Sequence, residues 1–307
     1  MFLGFDTSNY TTSVAFFDGK KIVQKKKLLE VKQGERGLRQ SDAVFQHTVN
    51  MPYLIDELVG EAECSGIDAV AVSTRPRNVD GSYMPCFLVG ENTARSVAAF
   101  SNTSIFKTSH QVGHILAALF SVDRLELIKE PFIAFHVSGG TTEALLVKPD
   151  KNEIIKAELV AESTDLKAGQ AIDGTGVMLG LKFPCGAMLD EMAQSSRRAF
   201  KIRPSMNDLN CSLSGVENKA KKMLEDNESQ NDIAKFVISY IAETLDEMTG
   251  RIINKYGNLP VVFAGGVTSN SIIKQELSKK YGAYFAKPEF SCDNAAGIAT
   301  YAYFKSI

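Results

Sequence analysis

Two stretches of the chain match each other without a gap: Phe2-Leu3-Gly4-Phe5-Asp6-Thr7-Ser8-Asn9-Tyr10-Thr11-Thr12 and Phe132-Ile133-Ala134-Phe135-His136-Val137-Ser138-Gly139-Gly140-Thr141-Thr142. Both phenylalanines, the serine and the Thr-Thr pair coincide, and each stretch leads into a second apolar segment, 14–17 and 144–147. Each copy reads as strand, tight polar turn and strand, because short β-prone apolar runs meet at Ser, Asn or Gly. Small residues at such a turn leave backbone N–H groups and hydroxyls open, and these can hold a phosphate. Two such hairpins predict a duplicated, two-lobed fold with a nucleotide between the lobes. The competing reading is chance similarity between two buried hairpins.

The 307 residues suit two domains of ordinary size, each able to bury its own core. No apolar run approaches the ~18 residues of a membrane span, so no membrane partner is expected. The opening Met1-Phe2-Leu3-Gly4-Phe5-Asp6 has no basic leader and meets an acid at once, unlike a signal peptide. Five cysteines, Cys64, Cys86, Cys185, Cys211 and Cys292, are scattered and never spaced as CxxC. That pattern fits reduced thiols in the cytoplasm, not a disulfide frame or a zinc ribbon. A net charge of -2 gives no bulk attraction to nucleic acid. Basic clusters do occur, at 25–27, at Arg75 and Arg77, at Arg197, Arg198, Lys201 and Arg203, and at Lys219, Lys221 and Lys222; they are read as solvated surface.

Along the chain, a third strand is expected near Ile22 and Val23, and helical spacing runs over 41–59. Residues 67–72 form a short β-branched run of the kind buried in parallel sheets. The loop 74–82 follows, rich in arginine, and helix resumes over 90–100. The second half repeats this order: a hairpin over 132–147, a strand over 153–159, a polar Gly-rich span at 163–186, and a long amphipathic helix over 232–255. A buried strand at 260–264, a helix from Ser271, a short strand at Tyr284-Phe285 and a helix from Asp293 complete the chain. Strands alternating with helices place it among α/β proteins.

The sharpest local motif is His110-Gln111-Val112-Gly113-His114. On a helix, imidazoles four residues apart lie one turn apart on one face, where both can bind one metal ion. Packing or capping histidines are the other reading. Gln111 stands where a zinc peptidase of this spacing carries its glutamate, and an amide can neither deprotonate a bound water nor carry its proton. A third ligand must come from a distant segment, and Asp293 is the best candidate. On its residues alone, however, Asp293 reads as the N-cap of the last helix. The turns Val137-Ser138-Gly139-Gly140-Thr141-Thr142 and Gly265-Gly266-Val267-Thr268-Ser269-Asn270 offer N–H donors to an anion. Asp165 and Asp173 could accept from ribose hydroxyls or simply form turns.

These motifs, in this order, resemble the family that transfers threonylcarbamoyl to tRNA adenosine (TsaD, also called Gcp and once labelled an O-sialoglycoprotein endopeptidase). The matching segments are His110 and His114, Ser138-Gly139-Gly140 with Thr142, Gly169-Gln170-Ala171-Ile172-Asp173 and Gly180-Leu181-Lys182-Phe183-Pro184-Cys185-Gly186. Ser212-Leu213-Ser214-Gly215-Val216-Glu217, Gly265-Gly266 to Asn270, and Lys287-Pro288-Glu289 to Asp293-Asn294 follow, so the resemblance covers nearly the whole chain. It implies an α/β, actin-like fold of the sugar kinase, heat-shock chaperone and actin superfamily, with duplicated ribonuclease-H-like lobes. We place these lobes at 1–105 and 106–307, with the terminal helix crossing back.

The resemblance further implies one divalent metal ion, iron or zinc foremost, on His110, His114 and Asp293. It implies an adenine nucleotide, ATP or threonylcarbamoyl-AMP, on His136, Val137, Ser138, Gly139, Gly140, Asp173, Gly186 and Asn270. The implied reaction is threonylcarbamoyl transfer to N6 of a tRNA adenosine, with a dimerising paralogue and a small ATPase as protein partners. No general base is assigned. Four departures stand out: Tyr10 and Thr11 replace an acidic pair, and Arg75-Pro76-Arg77-Asn78 replaces a Gly-Pro-Gly loop. Thr141 replaces the histidine of the Ser-Gly-Gly turn, and Cys185-Gly186-Ala187 replaces a Gly-Gly-Pro turn. They leave open a divergent paralogue that carbamoylates another acceptor, or a nucleotide-binding partner without turnover.

Overall fold

The computed structural model describes residues 1–8, 10–31, 38–62, 66–79 and 81–307. Asn9 of the first repeat, Cys64, and Asp80 of the arginine-rich loop lie outside the described residues. By compactness the chain divides into two units, Met1–Lys129 with Lys148–Ala157 and Glu289–Ile307, and Glu130–Val147 with Glu158–Pro288.

The first unit opens with β1 (Phe2–Ser8), β2 (Thr11–Phe17) and β3 (Ile22–Leu28), an antiparallel meander. After α1 (Gln40–Glu61), β4 (Ala69–Arg75) joins β1 in parallel. Then α2 (Phe87–Ser101) leads to β5 (Ser104–Ser109), parallel to β4, and α3 (His110–Ser121) follows directly. The five strands lie in the order β3-β2-β1-β4-β5. Nearly every residue of β1 and β2 is buried, so both faces of the sheet are covered.

In the second sheet, β6 (Phe132–Val137) and β7 (Thr142–Asp150) form a hairpin, and β8 (Ile154–Glu162) extends it. Helices α4 (Ala168–Met178) and α5 (Gly186–Ser195), the ribbon β9 (Ser205–Asn207) and β10 (Asn210–Ser212), α6 (Ser214–Glu225) and the long α7 (Gln230–Tyr256) come next. Strand β11 (Val261–Ala264) pairs in parallel with β6, and after α8 (Ser271–Tyr281) the short β12 (Tyr284–Phe285) pairs with β11. The order β12-β11-β6-β7-β8 is that of the first sheet with each strand replaced by its counterpart. The repeat also keeps its register: Thr7 faces Thr12 as Val137 faces Thr142, and Phe2 faces Phe17 as Phe132 faces Val147. Duplication, not chance likeness, explains the matching hairpins.

Two features depart from the sequence reading. The polar span 163–186 contains α4, whose glycines let other segments approach: a Cβ on Gly169 would sit 2.6 Å from the backbone N of Gly139, and one on Gly176 would sit 2.2 Å from the Cys185 side chain at Cβ. The other is the boundary expected at 105, because residues 106–129 lie in the first unit. Strand β5 and helix α3 pack there with the C-terminal segment, α9 (Pro288–Ser291) and α10 (Ala296–Ser306), which returns from the far end of the chain. Two close approaches seat α10. A Cβ on Gly4 would lie 2.3 Å from Ala299 N, and one on Gly297 would lie 1.8 Å from Gly113 O.

Candidate metal centre

Helix α3 starts where β5 ends because Ser109 caps it, its Oγ accepting from Val112 N at 3.3 Å. That start places His110 in the first turn and His114 one turn later, with ring centroids 4.3 Å apart. Asp293 completes the group from the segment before α10, its Oδ1 lying 3.4 Å from His110 Nε2 and 3.3 Å from His114 Nε2. All three ligand atoms fall within 4.8 Å of one another. The close passage of Gly297 over Gly113 brings the two distant segments together.

The capping reading of Asp293 is corrected by this geometry. Helix α10 begins at Ala296, and the turn before it is held by Asn294, whose Oδ1 accepts from Ala296 N at 3.0 Å. Its amide donates to the carbonyls of Phe290 and Cys292, at 3.2 and 2.6 Å. Asn294 does the work of a cap, and the Asp293 carboxylate is left to face the imidazoles.

Behind His110 lies a group that the sequence reading missed. Asp6, fully buried in β1, places Oδ1 3.0 Å from His110 Nδ1. Ser73 Oγ also donates to Oδ1, and Ser8 Oγ donates to Oδ2 at 2.7 Å. Thr11 Oγ1 reaches Asp293 Oδ2 at 3.4 Å. Burial by itself pushes the Asp6 carboxyl up, but His110 and the Ser73 hydroxyl outweigh it and hold the carboxyl below its usual value. Asp293 is likewise pushed up by burial and brought well down by hydrogen bonds from His110 and His114. For His110 the signs reverse: burial favours the neutral ring, but the Asp6 charge and then Asp293 raise it to about 10. The sequence signal for Asp6 was a lone acid at the end of an apolar, two-face-buried strand, where an unpaired charge cannot persist.

The donor set fits a divalent cation. An N–H from His110 Nδ1 to Asp6 fixes the ring and leaves Nε2 facing His114 and Asp293, the orientation that ligating histidines take from a carboxylate behind them. Two imidazoles and a carboxylate suit zinc, iron or manganese.

In the second unit, Ser138 organises the hairpin turn: its N donates to Thr141 O at 2.7 Å, and its Oγ accepts from Gly140 N and Thr141 N at 3.3 and 3.1 Å. Gly139 and Gly140 are exposed, with open space where a Cβ would stand. Gly169, at the start of α4, donates to Ser138 O at 3.2 Å. Gly265 takes φ +103°, and a Cβ there would lie 2.2 Å from Val137 O. Three glycine-bearing segments thus meet at the ends of β6 and β11. Val137 is buried and His136 half-buried in β6. Asp173 Oδ1 accepts from Cys185 N at 2.8 Å, beside Gly186 at the start of α5. Asn270 caps α8, its Oδ1 accepting from Ile272 N and Ile273 N at 3.1 Å each. Asp165 belongs to a loop: its carboxylate accepts from Ser212 Oγ at 2.6 Å, Leu213 N at 2.8 Å and Leu166 N at 2.6 Å. Those bonds overcome burial and lower its carboxyl below the usual value.

Among solved structures, the chain aligns with HypF from T. kodakarensis at TM-score 0.63 and 12% identity, over 99% of this chain and 46% of that one. Full-length HypF in its phosphate- and nucleotide-bound form aligns at TM-score 0.61 and 12% identity, over 99% and 55%. An activator of 2-hydroxyisocaproyl-CoA dehydratase from Clostridium difficile with bound ADPNP aligns at TM-score 0.53 and 14% identity, over 100% and 96%. At these identities the likeness is one of fold, the two-lobed, actin-like α/β architecture. A family model, TsaD, tRNA N6-adenosine threonylcarbamoyltransferase, matches residues 22–300. The chain therefore belongs to the TsaD family.

Proposed function

We propose that the chain transfers a threonylcarbamoyl group from threonylcarbamoyl-adenylate to N6 of an adenosine in tRNA, in the cytoplasm. The observation that carries this reading is the convergence of His110, His114 and Asp293, backed by Asp6, in a chain of this family. In the reaction the amine nitrogen bonds to the carbamoyl carbon, that carbon's bond to the phosphate oxygen breaks, AMP leaves, and the amine proton passes to solvent. The donor is already activated, so orientation and charge stabilisation supply the acceleration without a covalent enzyme intermediate. Iron or zinc on His110, His114 and Asp293 would supply a Lewis acid and a template. Asp6 holds His110 in its ligating orientation, and Thr11 steadies the outer oxygen of Asp293.

In the second unit we assign the nucleotide to the end of the sheet where the Ser138-Gly139-Gly140 turn, Gly169 and Gly265 meet. The nucleotides in the two solved structures of this fold named above support that assignment. His136, Val137, Asp173, Gly186 and Asn270 complete the proposed lining, with Asn270 and Asp173 already giving one oxygen each to backbone N–H groups. For the dimerising partner, we propose the outer face of α1. There Phe45, Val49 and Tyr53 recur every four residues and are 69%, 45% and 67% exposed. A partner ATPase remains part of the proposal on family grounds alone.

The altered loop favours a second reading, transfer to another acceptor. Arg75 Nε donates to Asn78 Oδ1 at 3.0 Å, and Pro76 O accepts from Gln111 N at 3.0 Å, so the loop is tied to the start of the His motif. One experiment separates the two. Purified protein with Zn2+ or Fe2+, unmodified tRNA and threonylcarbamoyl-adenylate should yield threonylcarbamoyl-adenosine on nuclease digestion, and Asp293→Asn should abolish it. Donor consumed without any nucleoside product would overturn the tRNA reading.

A further inference from the structure

The basic clusters near residues 200 and 220, read from sequence as solvated surface, meet at one place in the second unit. The segment after α5 is pinned to α7: Ser196 Oγ donates to Asp232 Oδ1 at 2.5 Å, and Arg198 pairs with Glu228 and lies 3.8 Å from Asp232. Phe200 rests on Phe236 with centroids 5.4 Å apart, while the Arg198 guanidinium stacks 4.8 Å above Phe200. Arg198 is therefore neutralised within the fold.

Lys201 and Arg203 are not. They stand exposed on either side of half-buried Ile202, at the mouth of a cavity of about 310 Å³. Lys219 of α6 lines the same cavity, its Nζ 5.4 Å from the Tyr240 ring, and the apolar part of the lining is Ile202, Phe236 and Tyr240. Among the described residues no carboxylate pairs with any of the three cations. Elsewhere on this unit Lys280 pairs with Asp246 and Arg251 with Glu247.

Unpaired cations spaced around a groove with a partly apolar lining are built for phosphates in series. Both rings are almost fully buried, at 9% and 4% exposure, so they offer no face for base stacking and no means of reading sequence. Charge without base readout is the chemistry of backbone positioning. We infer that Lys201, Arg203 and Lys219 hold backbone phosphates of the acceptor RNA, a contact that sets its register on the protein. The inference rests on the RNA-acceptor reading above.

The test compares the full chain with K201Q/R203Q/K219Q and, as a charge-matched control on the same unit, R197Q/K221Q/K222Q. Binding of an unmodified anticodon stem-loop RNA is titrated across salt concentration, alongside ATP and inorganic phosphate, with Zn2+ content measured for each protein. The groove variant should bind RNA at least about tenfold more weakly near 100 mM salt, and its salt slope should fall by about 2. Zinc content and ATP affinity should stay unchanged. Equal RNA losses in both variants would show general charge attraction and overturn the groove. So would an ATP or phosphate affinity lost only in the groove variant, which would mark a small-anion pocket. If wild-type protein consumes the donor yet binds no RNA, the acceptor reading itself fails and the groove assignment falls with it. RNA binding that is intact in all three proteins sinks the groove alone.

Discussion

Gly297→Ala is the sharpest probe of how the metal triad is assembled. The added Cβ would lie 1.8 Å from Gly113 O and 2.7 Å from both Ala117 N and Gly113 C. All three are backbone atoms of α3, so no side chain can swing aside. Reaching ordinary contact near 3.4 Å requires α3 and α10 to separate by about 1.6 Å along the shortest vector. Overpacking of this kind costs about 1–3 kcal/mol, and the rigid obstacle argues for the upper end. The gain in helix propensity, at most about 1 kcal/mol, leaves a net loss near 2 kcal/mol. In a protein of 307 residues that lowers the melting temperature by about 3 °C. The same displacement draws Asp293, four residues upstream, away from imidazole nitrogens now 3.3–3.4 Å distant, so metal affinity should drop by about 10–100-fold. Thermal unfolding of the metal-free protein and chelator competition for Zn2+ measure the two effects. Gly215→Ala, with open space around its Cβ, serves as the control. A melting temperature within about 1 °C of wild type together with unaltered zinc affinity would refute the argument that this crossing sets the triad.

Asp6→Asn should keep the bond to His110 in shape but remove its charge, weakening zinc by about 10–100-fold in chelator competition; undiminished affinity would remove Asp6 from the account. His47, fully buried in α1, shares a 2.8 Å hydrogen bond with Thr12 through Nδ1, and burial lowers its ring to about 4 despite the nearby Asp6 charge. The folded ring therefore stays neutral while the unfolded one protonates below 6.5, so stability declines as pH falls from about 6.5 to about 4 and levels off below. The His47→Gln variant should lose up to about 3 kcal/mol of that decline in urea unfolding, and parallel curves for both proteins would contradict it. Gly265→Ala, with left-handed φ and Val137 O at 2.2 Å, should cost about 2–4 kcal/mol of unfolding free energy, whereas Gly266→Ala, with open space, should change it by less than about 0.5 kcal/mol. Equal effects at the two glycines would contradict the packing argument.

The duplicated architecture was legible in the chain because hairpin signals are local. Apolar alternation and small turn residues lie within a dozen positions, and both copies carry them in the same register. The His110–His114 pair was legible for the same reason, since helical spacing alone places both rings on one face. Other features depend on segments that are distant in sequence, and for these the residues misled or stayed silent. Asp293 looked like a cap because nothing local shows that Asn294 performs that duty, or that Gly297 crosses Gly113 and delivers the carboxylate to α3. Asp6 looked like one acid in an apolar strand, and its partner His110 lies 104 residues away. Lys201, Arg203 and Lys219 looked like ordinary surface until α6 and α7 brought them around one cavity and Arg198 was seen to be the paired member of its cluster. Residue chemistry and short-range periodicity decided what the chain is built from; long-range packing decided which groups face one another, because close backbone approach and burial exist only once the chain has folded.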